Sequence, residues 1–282
     1  DSPVPGHRRV DATLHGKPRR RGLHAGLLRR QSYSGQTRRQ LVSDSLSSAG
    51  VRAILLDIEG TTTPIAFVHE VLFPYARGHV REYLAQHLTE LAGDVKQLRD
   101  EHARDVSSGA QPPPLTDDPD SISTYVHWLI DRDRKSTGLK SLQGKIWREG
   151  YAAGTLKAQI FNDVRAAFER WHESGFRISI FSSGSVLAQQ LLFAHTEDGD
   201  LTKFITDYFD TNVGAKGDAE SYRSIGKSLH LKPDEIVFIS DVVAELEAAT
   251  AAGMKTRLSI RPGNQPQPDP DRFQIIHTLD EV

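Results

Sequence analysis

The chain has 282 residues, 38% of them hydrophobic, and a formal net charge of −2, which is enough for one large domain or two smaller ones. It contains no cysteine, which excludes disulfides and thiolate metal sites and fits the reducing cytoplasm. No apolar run approaches the roughly 20 residues of a membrane-spanning helix, and the balanced charge does not indicate a nucleic-acid partner. We therefore expect a cytoplasmic protein that contacts neither a membrane nor nucleic acid.

The first 49 residues differ from the rest in charge. Residues 1–50 hold ten Lys or Arg against three Asp or Glu, and their sparse apolar residues show no sustained period. Such a segment cannot offset the entropy lost on ordering, so we expect residues 1–49 to be a disordered basic arm. Three interpretations stay open: the arm binds nucleic acid or an acidic partner, it is an organellar targeting segment, or it is an over-extended gene start without function.

The first predicted strand ends at two acidic residues. Four consecutive apolar residues, Ala53 to Leu56, predict a strand buried on both faces, as in a parallel sheet. Asp57, Glu59, Gly60 and three threonines follow. A glycine lets the backbone turn so that its amides surround an anion, and two neighbouring carboxylates suit Mg²⁺. The alternative interpretation is an ordinary acidic, solvated turn.

Residues 70–155 predict a helical insertion without a convincing strand. Apolar residues recur at spacings of three and four over residues 77–106, 121–134 and 141–151. A segment rich in Pro and Asp, residues 111–120, interrupts the pattern and predicts a surface loop.

From residue 156 to the end, strands and helices alternate. The predicted strands span residues 176–181, 204–209, 236–239, 256–260 and, as an edge strand, 273–277. Alternation of this kind predicts an α/β fold with a doubly wound parallel sheet. We therefore assign residues 50–69 and 156–282 to one core domain and residues 70–155 to a helical cap.

Polar residues follow three of these later strands. Ser182 and Ser183 stand at the start of a helix, where the dipole favours an anion, Lys216 lies in a Gly-containing loop, and Asp241 ends a strand. The carboxyl ends of parallel strands meet at one edge of a sheet, so these side chains should lie near Asp57. Each has a simpler interpretation: a serine N-cap, a solvated lysine, an acidic turn. Glu245, one helical turn further on, is either a supporting residue of the site or an acid matched to the helix dipole.

Together these motifs resemble the haloacid dehalogenase superfamily of phosphotransferases, over about residues 51–280. The superfamily's first motif is Asp-x-Asp-Gly-Thr, and here Glu59 replaces the second Asp. The version Asp-Ile-Glu-Gly-Thr-Thr is similar to that of the acireductone synthase family, the enolase-phosphatases of methionine salvage. Residues 181–186, 195–200 and 261–264 also resemble that family.

The resemblance implies a role for each motif residue. Asp57 matches the nucleophile, Glu59 the general acid/base, and Lys216 the lysine that neutralises the phosphate and the first carboxylate. Ser182, Ser183 and Lys216 match substrate-binding positions. One Mg²⁺ per subunit is expected on Asp57, Glu59 and Asp241.

The fold implied is a haloacid dehalogenase-like Rossmannoid core with the cap over its active site. The activity implied is a Mg²⁺-dependent enolisation and dephosphorylation of a small phosphorylated diketone, and we expect a monomer. Two alternatives stay open: another phosphatase of the superfamily with a different small ester, and a non-catalytic module that binds through the basic arm. A metal-free dehalogenase is disfavoured, because Glu59 keeps the second acid that phosphoryl transfer uses.

Overall fold

Six parallel strands form the core of the protein. The computed structural model describes residues 46–282. Its strands are β1 Ala53–Leu56, β2 Arg177–Phe181, β3 Ile205–Phe209, β4 Ile236–Ser240, β5 Lys255–Ser259 and β6 Ile275–Ile276. They lie in the order β3-β2-β1-β4-β5-β6, and all neighbours are parallel. The predicted α/β fold is therefore confirmed.

Eight longer helices surround or extend this sheet. They are α1 Phe73–His87, α2 Ala92–Ser107, α3 Pro119–Asp131, α4 Thr137–Ala152, α5 Val164–Glu173, α6 Val186–Ala194, α7 Ala219–Leu229 and α8 Val243–Ala252. Side chains alternate across a strand, so Ile54 and Leu56 pack in the hydrophobic cluster that includes α5 and α6. Ala53 and Leu55 pack in the opposite cluster, with α7 and α8. Helices on both faces bury β1 completely.

Helices α1 to α4 pack mainly on one another, between the first and second strands of the chain. A π-helical turn, Val68–Leu72, leads into α1. The helical pattern predicted over residues 77–106 corresponds to two helices, α1 and α2, with a turn between them. Apolar spacing continues through that turn, because Leu91 is buried, so periodicity could not reveal the break. Within residues 46–282, no helix has both the length and the apolar character needed to cross a membrane.

The folded domain starts earlier than the predicted boundary at residue 50. Leu46 is 3% exposed and belongs to the main hydrophobic cluster. The Val51 amide donates a hydrogen bond to the Leu46 carbonyl over 3.0 Å. Leu46, near the end of the predicted arm, is therefore part of the core. The rest of the predicted arm, residues 1–45, lies outside the described residues.

Replacing Leu46 by Ala should lower the free energy of unfolding by about 2–4 kcal/mol, because it removes buried methyl groups and leaves a cavity. Urea denaturation monitored by circular dichroism measures the change. Val106→Ala is the control: Val106 is 56% exposed and should change stability by less than about 0.5 kcal/mol. Equal stabilities for the two variants would contradict the assignment of Leu46 to the core.

Candidate active site

Strand β1 delivers Asp57 to the carboxyl edge of the sheet. The Asp57 amide donates to the Ile239 carbonyl of β4 over 3.0 Å, and the Asp57 side chain is 6% exposed. The backbone then turns at Gly60, whose φ is +69°, a conformation that glycine adopts without strain. A β-carbon at this position would also collide with the Asp241 carboxylate. This position therefore requires glycine.

The backbone amides of this turn do not form the anion cradle predicted from the sequence. The amides of Thr61 and Thr62 both donate to the Ile58 carbonyl, over 3.2 and 2.9 Å, and the Gly60 amide donates to the Thr63 carbonyl over 2.8 Å. These hydrogen bonds close a tight turn over residues 58–63, and Asp57 lies directly before it. The prediction of an anion site on these amides is wrong, because local hydrogen bonds already use them.

Lys216 reaches Asp57 from the loop between β3 and α7. Its Nζ lies 2.5 Å from Asp57 Oδ1 and 2.8 Å from Glu245 Oε2, and its side chain is 9% exposed. Burial lowers the pKa of Lys216, but the charges of Asp57 and Glu245 outweigh that effect and the net shift is upward. The ammonium group is therefore charged at neutral pH. The structure brings together two residues that are 159 positions apart in the chain.

Glu245 is the second carboxylate on Lys216, a contact that the sequence did not settle. Ser240 Oγ donates a hydrogen bond to Glu245 Oε2 over 2.9 Å. Burial, and then the charge of Asp57, raises the pKa of Glu245 to about 7. Its position in the first turn of α8, four residues after Asp241, was the only signal in the sequence.

Asp241 lies at the end of β4 and is 6% exposed. Burial raises its pKa to about 7, and the charges of Asp57 and Glu245 add to the shift. Three carboxyl groups and one ammonium therefore share a nearly closed space. This arrangement has an excess of negative charge that a cation would relieve.

Asp57 and Asp241 fit a hard cation such as Mg²⁺. Within residues 46–282, no group of three or more His, Cys, Asp or Glu side chains is arranged as a ready-made metal cage. Mg²⁺ does not need such a cage, because it binds through one or two carboxylates and keeps waters and substrate phosphate as its other ligands. The buried carboxylates of Asp57 and Asp241 repel each other and supply two oxygen ligands, which meets that requirement.

Glu59 lies beside His69 at the edge of a cavity. Its Oε2 lies 3.8 Å from His69 Nε2, and its side chain is 43% exposed. Partial burial, and then the charge of Asp57, raises the pKa of Glu59. Its predicted roles as a general acid/base and as a metal ligand stay predictions, and the raised pKa is a property that proton transfer uses.

Ser182 and Ser183 follow β2, beside β1. Ser182 is buried, and its Oγ accepts a hydrogen bond from the Gly184 amide over 3.2 Å. The N-cap of α6 is Ser185, whose Oγ accepts from the Ala188 amide. Ser182 and Ser183 are therefore not cap residues, and both line a cavity. Their assignment to substrate binding stays a prediction.

That cavity, of about 330 Å³, lies between the core and the cap. One end reaches Glu59, Ser182 and Ser183. Most of its wall is apolar and comes from Ile58, Val68, Leu72, Phe73, Leu129, Ile130, Leu139, Trp147 and Leu192. The cap also supplies Lys140, whose Nζ donates to the Ser183 carbonyl over 3.0 Å. The sequence predicted a helical cap over residues 70–155 but did not show which of its residues face the site.

Comparisons with known proteins agree with this fold. A family model of haloacid dehalogenase-like hydrolases matches residues 51–253. The chain is 50% identical over 234 residues to enolase-phosphatase E1 of Synechococcus elongatus, across 82% of this chain and 98% of that protein. Enolase-phosphatase E1 of Drosophila grimshawi is 44% identical over 237 residues, across 83% and 96% of the two chains.

A solved structure extends the comparison to three dimensions. The crystal structure of the UTR4 protein of Saccharomyces cerevisiae matches with a TM-score of 0.69 and 34% identity, across 81% of this chain and 98% of that chain. The chain therefore belongs to the haloacid dehalogenase-like hydrolases and, within them, to the enolase-phosphatase E1 family. The resemblance seen in the sequence is confirmed.

Proposed function

We propose that this chain is a Mg²⁺-dependent enolase-phosphatase of methionine salvage. Its substrate would be 2,3-diketo-5-methylthiopentyl-1-phosphate, which is enolised and then dephosphorylated to the acireductone. The observation that carries this proposal is the cavity, which joins Glu59 and the two serines to an apolar wall. A substrate with a phosphate at one end and an apolar tail at the other matches that polarity.

The phosphate end would lie beside Asp57 and Lys216. Asp57 attacks phosphorus, the bond between phosphorus and the substrate oxygen breaks, and water then hydrolyses the aspartyl phosphate to release phosphate and restore Asp57. The Lys216 ammonium, 2.5 Å from Asp57 Oδ1, offsets negative charge on the phosphoryl oxygens. The Ser182 and Ser183 hydroxyls hold the phosphate from the side of β2. Asp57, Asp241 and Glu59 would hold Mg²⁺, which when bound would supply further positive charge to the phosphate and to a substrate oxygen that gains negative charge.

The enolisation requires a proton to leave the carbon that carries the phosphate, because that carbon is next to a carbonyl group. Glu59 lines the cavity, and burial, followed by the charge of Asp57, raises its pKa above the ordinary value, the direction that suits a group that takes up a proton. We therefore assign this proton to Glu59. The protonated Glu59 carboxyl group then donates a proton to the substrate oxygen that leaves phosphorus.

The apolar end of the cavity would hold the methylthio tail. Trp147 is fixed there by a hydrogen bond from its Nε1 to the Leu72 carbonyl over 2.8 Å, so this part of the wall is rigid. Burying a small apolar group in such a pocket contributes about 1–3 kcal/mol to discrimination between substrates. The apolar part of this wall offers no hydrogen-bond partner to a polar sugar phosphate, so it favours a substrate with an apolar tail.

With the diketone phosphate, an enol chromophore should appear before phosphate in single-turnover absorbance traces, because the proposed order is enolisation and then hydrolysis. An analogue whose methylthio group is replaced by hydrogen should lose about 10- to 100-fold in kcat/KM, since it forfeits the apolar contacts. A small aromatic phosphate ester serves as the control substrate, and removal of Mg²⁺ by a chelator should stop phosphate release from both.

Hydrolysis of the control ester without any turnover of the diketone would instead support the alternative, another phosphatase of the superfamily. The monomeric state and the cytoplasmic location stay predictions. Size-exclusion chromatography with light scattering measures the first directly.

A further inference from the structure

The turn after β5, residues 261–264, contacts the loop after β1 at two points, the carbonyls of Thr61 and Gly60. The backbone amide of Asn264 donates to the Arg261 carbonyl over 3.1 Å, and Gly263, with a φ of +88°, closes this turn. Arg261 is buried, and its Nε donates to the Thr61 carbonyl over 3.3 Å. These residues resemble the family in sequence, but the proposed mechanism gives Asn264 no role.

The orientation of the Asn264 amide is fixed by its donor side. Its Nδ2 donates to the Gly60 carbonyl over 2.9 Å and to the Ser259 carbonyl over 3.2 Å. The opposite orientation would place Oδ1 against two carbonyl oxygens, which cannot donate. The direction of Oδ1 is therefore determined by the hydrogen bonds of its own side chain.

Oδ1 of Asn264 is directed into the cluster of carboxylates. It is buried and accepts no hydrogen bond from the residues that the structure describes. It lies 2.9 Å from the position that a β-carbon of Gly60 would occupy, and the Asp241 carboxylate borders the same position. Two acceptors thus face one space, and buried acceptors of this kind require a donor or a cation.

We propose that Asn264 is a positioning residue of the divalent-cation site. Its amide oxygen accepts a hydrogen bond from water that a hydrated Mg²⁺ brings against Asp241. Mg²⁺ gives up its waters reluctantly, so an uncharged acceptor beside a carboxylate ligand orients the hydration shell without adding charge. Outer partners of this kind typically contribute 10- to 100-fold to metal affinity. The inference rests on the proposed function for the presence of the cation.

The test is Mg²⁺ binding to chelator-treated protein, measured by calorimetry together with the melting temperature. Asn264→Ala should bind Mg²⁺ about 10- to 100-fold more weakly. Asn264→Asp keeps the acceptor, so its Mg²⁺ affinity should equal or exceed that of the parent chain. The same variant should melt at a lower temperature than the parent, because its second oxygen faces the Gly60 and Ser259 carbonyls.

A purely structural role for Asn264 predicts a different result: Mg²⁺ affinity would follow stability, and the Asp variant would bind as poorly as the Ala variant. That result, or unchanged affinity in Asn264→Ala, overturns the proposal. Ser259→Ala is the matched control, because Ser259 Oγ also donates to the Gly60 carbonyl, over 3.4 Å. It should leave Mg²⁺ affinity unchanged. Failure of the Asn264 proposal alone leaves Mg²⁺ binding by the parent chain intact. If the parent chain itself takes up no Mg²⁺, the cation site of the proposed function fails as well.

Discussion

Replacing Asp57 by Asn should abolish phosphate release and leave the fold intact. The amide of Asn is not a nucleophile toward phosphorus, so we expect kcat to fall by more than about 1,000-fold, equivalent to roughly 4 kcal/mol of barrier. The fold should survive, because Lys216 keeps its contact with Glu245 at 2.8 Å. Initial rates of phosphate release and far-ultraviolet circular dichroism measure the two quantities.

Asp271→Asn is the matched control for this substitution, since Asp271 is exposed in the turn before β6. It removes one carboxylate from the surface and should keep wild-type kcat. An Asp57→Asn variant that retains more than a tenth of wild-type kcat, a loss of only about 1.4 kcal/mol, would exclude Asp57 as the nucleophile.

Replacing Asp241 by Asn should stabilise the chelator-treated protein while removing Mg²⁺-dependent activity. Burial raises the pKa of Asp241 to about 7 from an ordinary value of 3.8, so its ionised form destabilises the folded state at pH 8. Asn removes that charge, and at about 1.4 kcal/mol for each pKa unit we expect a gain of about 4 kcal/mol, or roughly 8–16 °C in melting temperature for a domain of this size.

The gain should depend on pH in a defined direction. Between pH 4 and 7 the folded state holds the Asp241 proton more tightly than the unfolded state, so this group's destabilisation increases as the pH rises through that range. The difference in melting temperature between variant and wild type should therefore shrink from pH 8 toward pH 4. A lower melting temperature for the variant at pH 8 in the presence of chelator would contradict a strained, buried carboxylate.

Local sequence signals were sufficient for the sheet and for the polar residues that follow its strands. The apolar run before Asp57 predicted a strand buried on both faces, and the alternation of strands and helices placed Ser182, Lys216 and Asp241 after later strands of the sheet. The predicted strands over residues 176–181, 204–209, 236–239 and 256–260 each lie within one or two residues of the observed ones.

Contacts between distant residues were beyond these signals. Glu245 is the second partner of Lys216 because α8 begins beside that lysine, which neither segment shows alone. The amides of Thr61 and Thr62 donate to the Ile58 carbonyl, and the glycine and threonines in the sequence do not reveal these hydrogen bonds. Leu46 was missed because a single apolar residue at the end of a polar segment has no period.

The hydrogen bonds on the loop after β1 bear on how the enzyme is made. The Phe161 backbone amide donates to the Thr62 carbonyl over 3.0 Å, and the Arg261 side chain donates to the Thr61 carbonyl. The Asn264 side chain, 204 positions away in the chain, donates to the Gly60 carbonyl. A ribosome therefore completes the Asp57 segment long before the residues that hydrogen-bond to its loop leave the exit tunnel. Until that last segment docks, the nascent chain carries the Asp57 segment without the contacts that fix the shape of its loop.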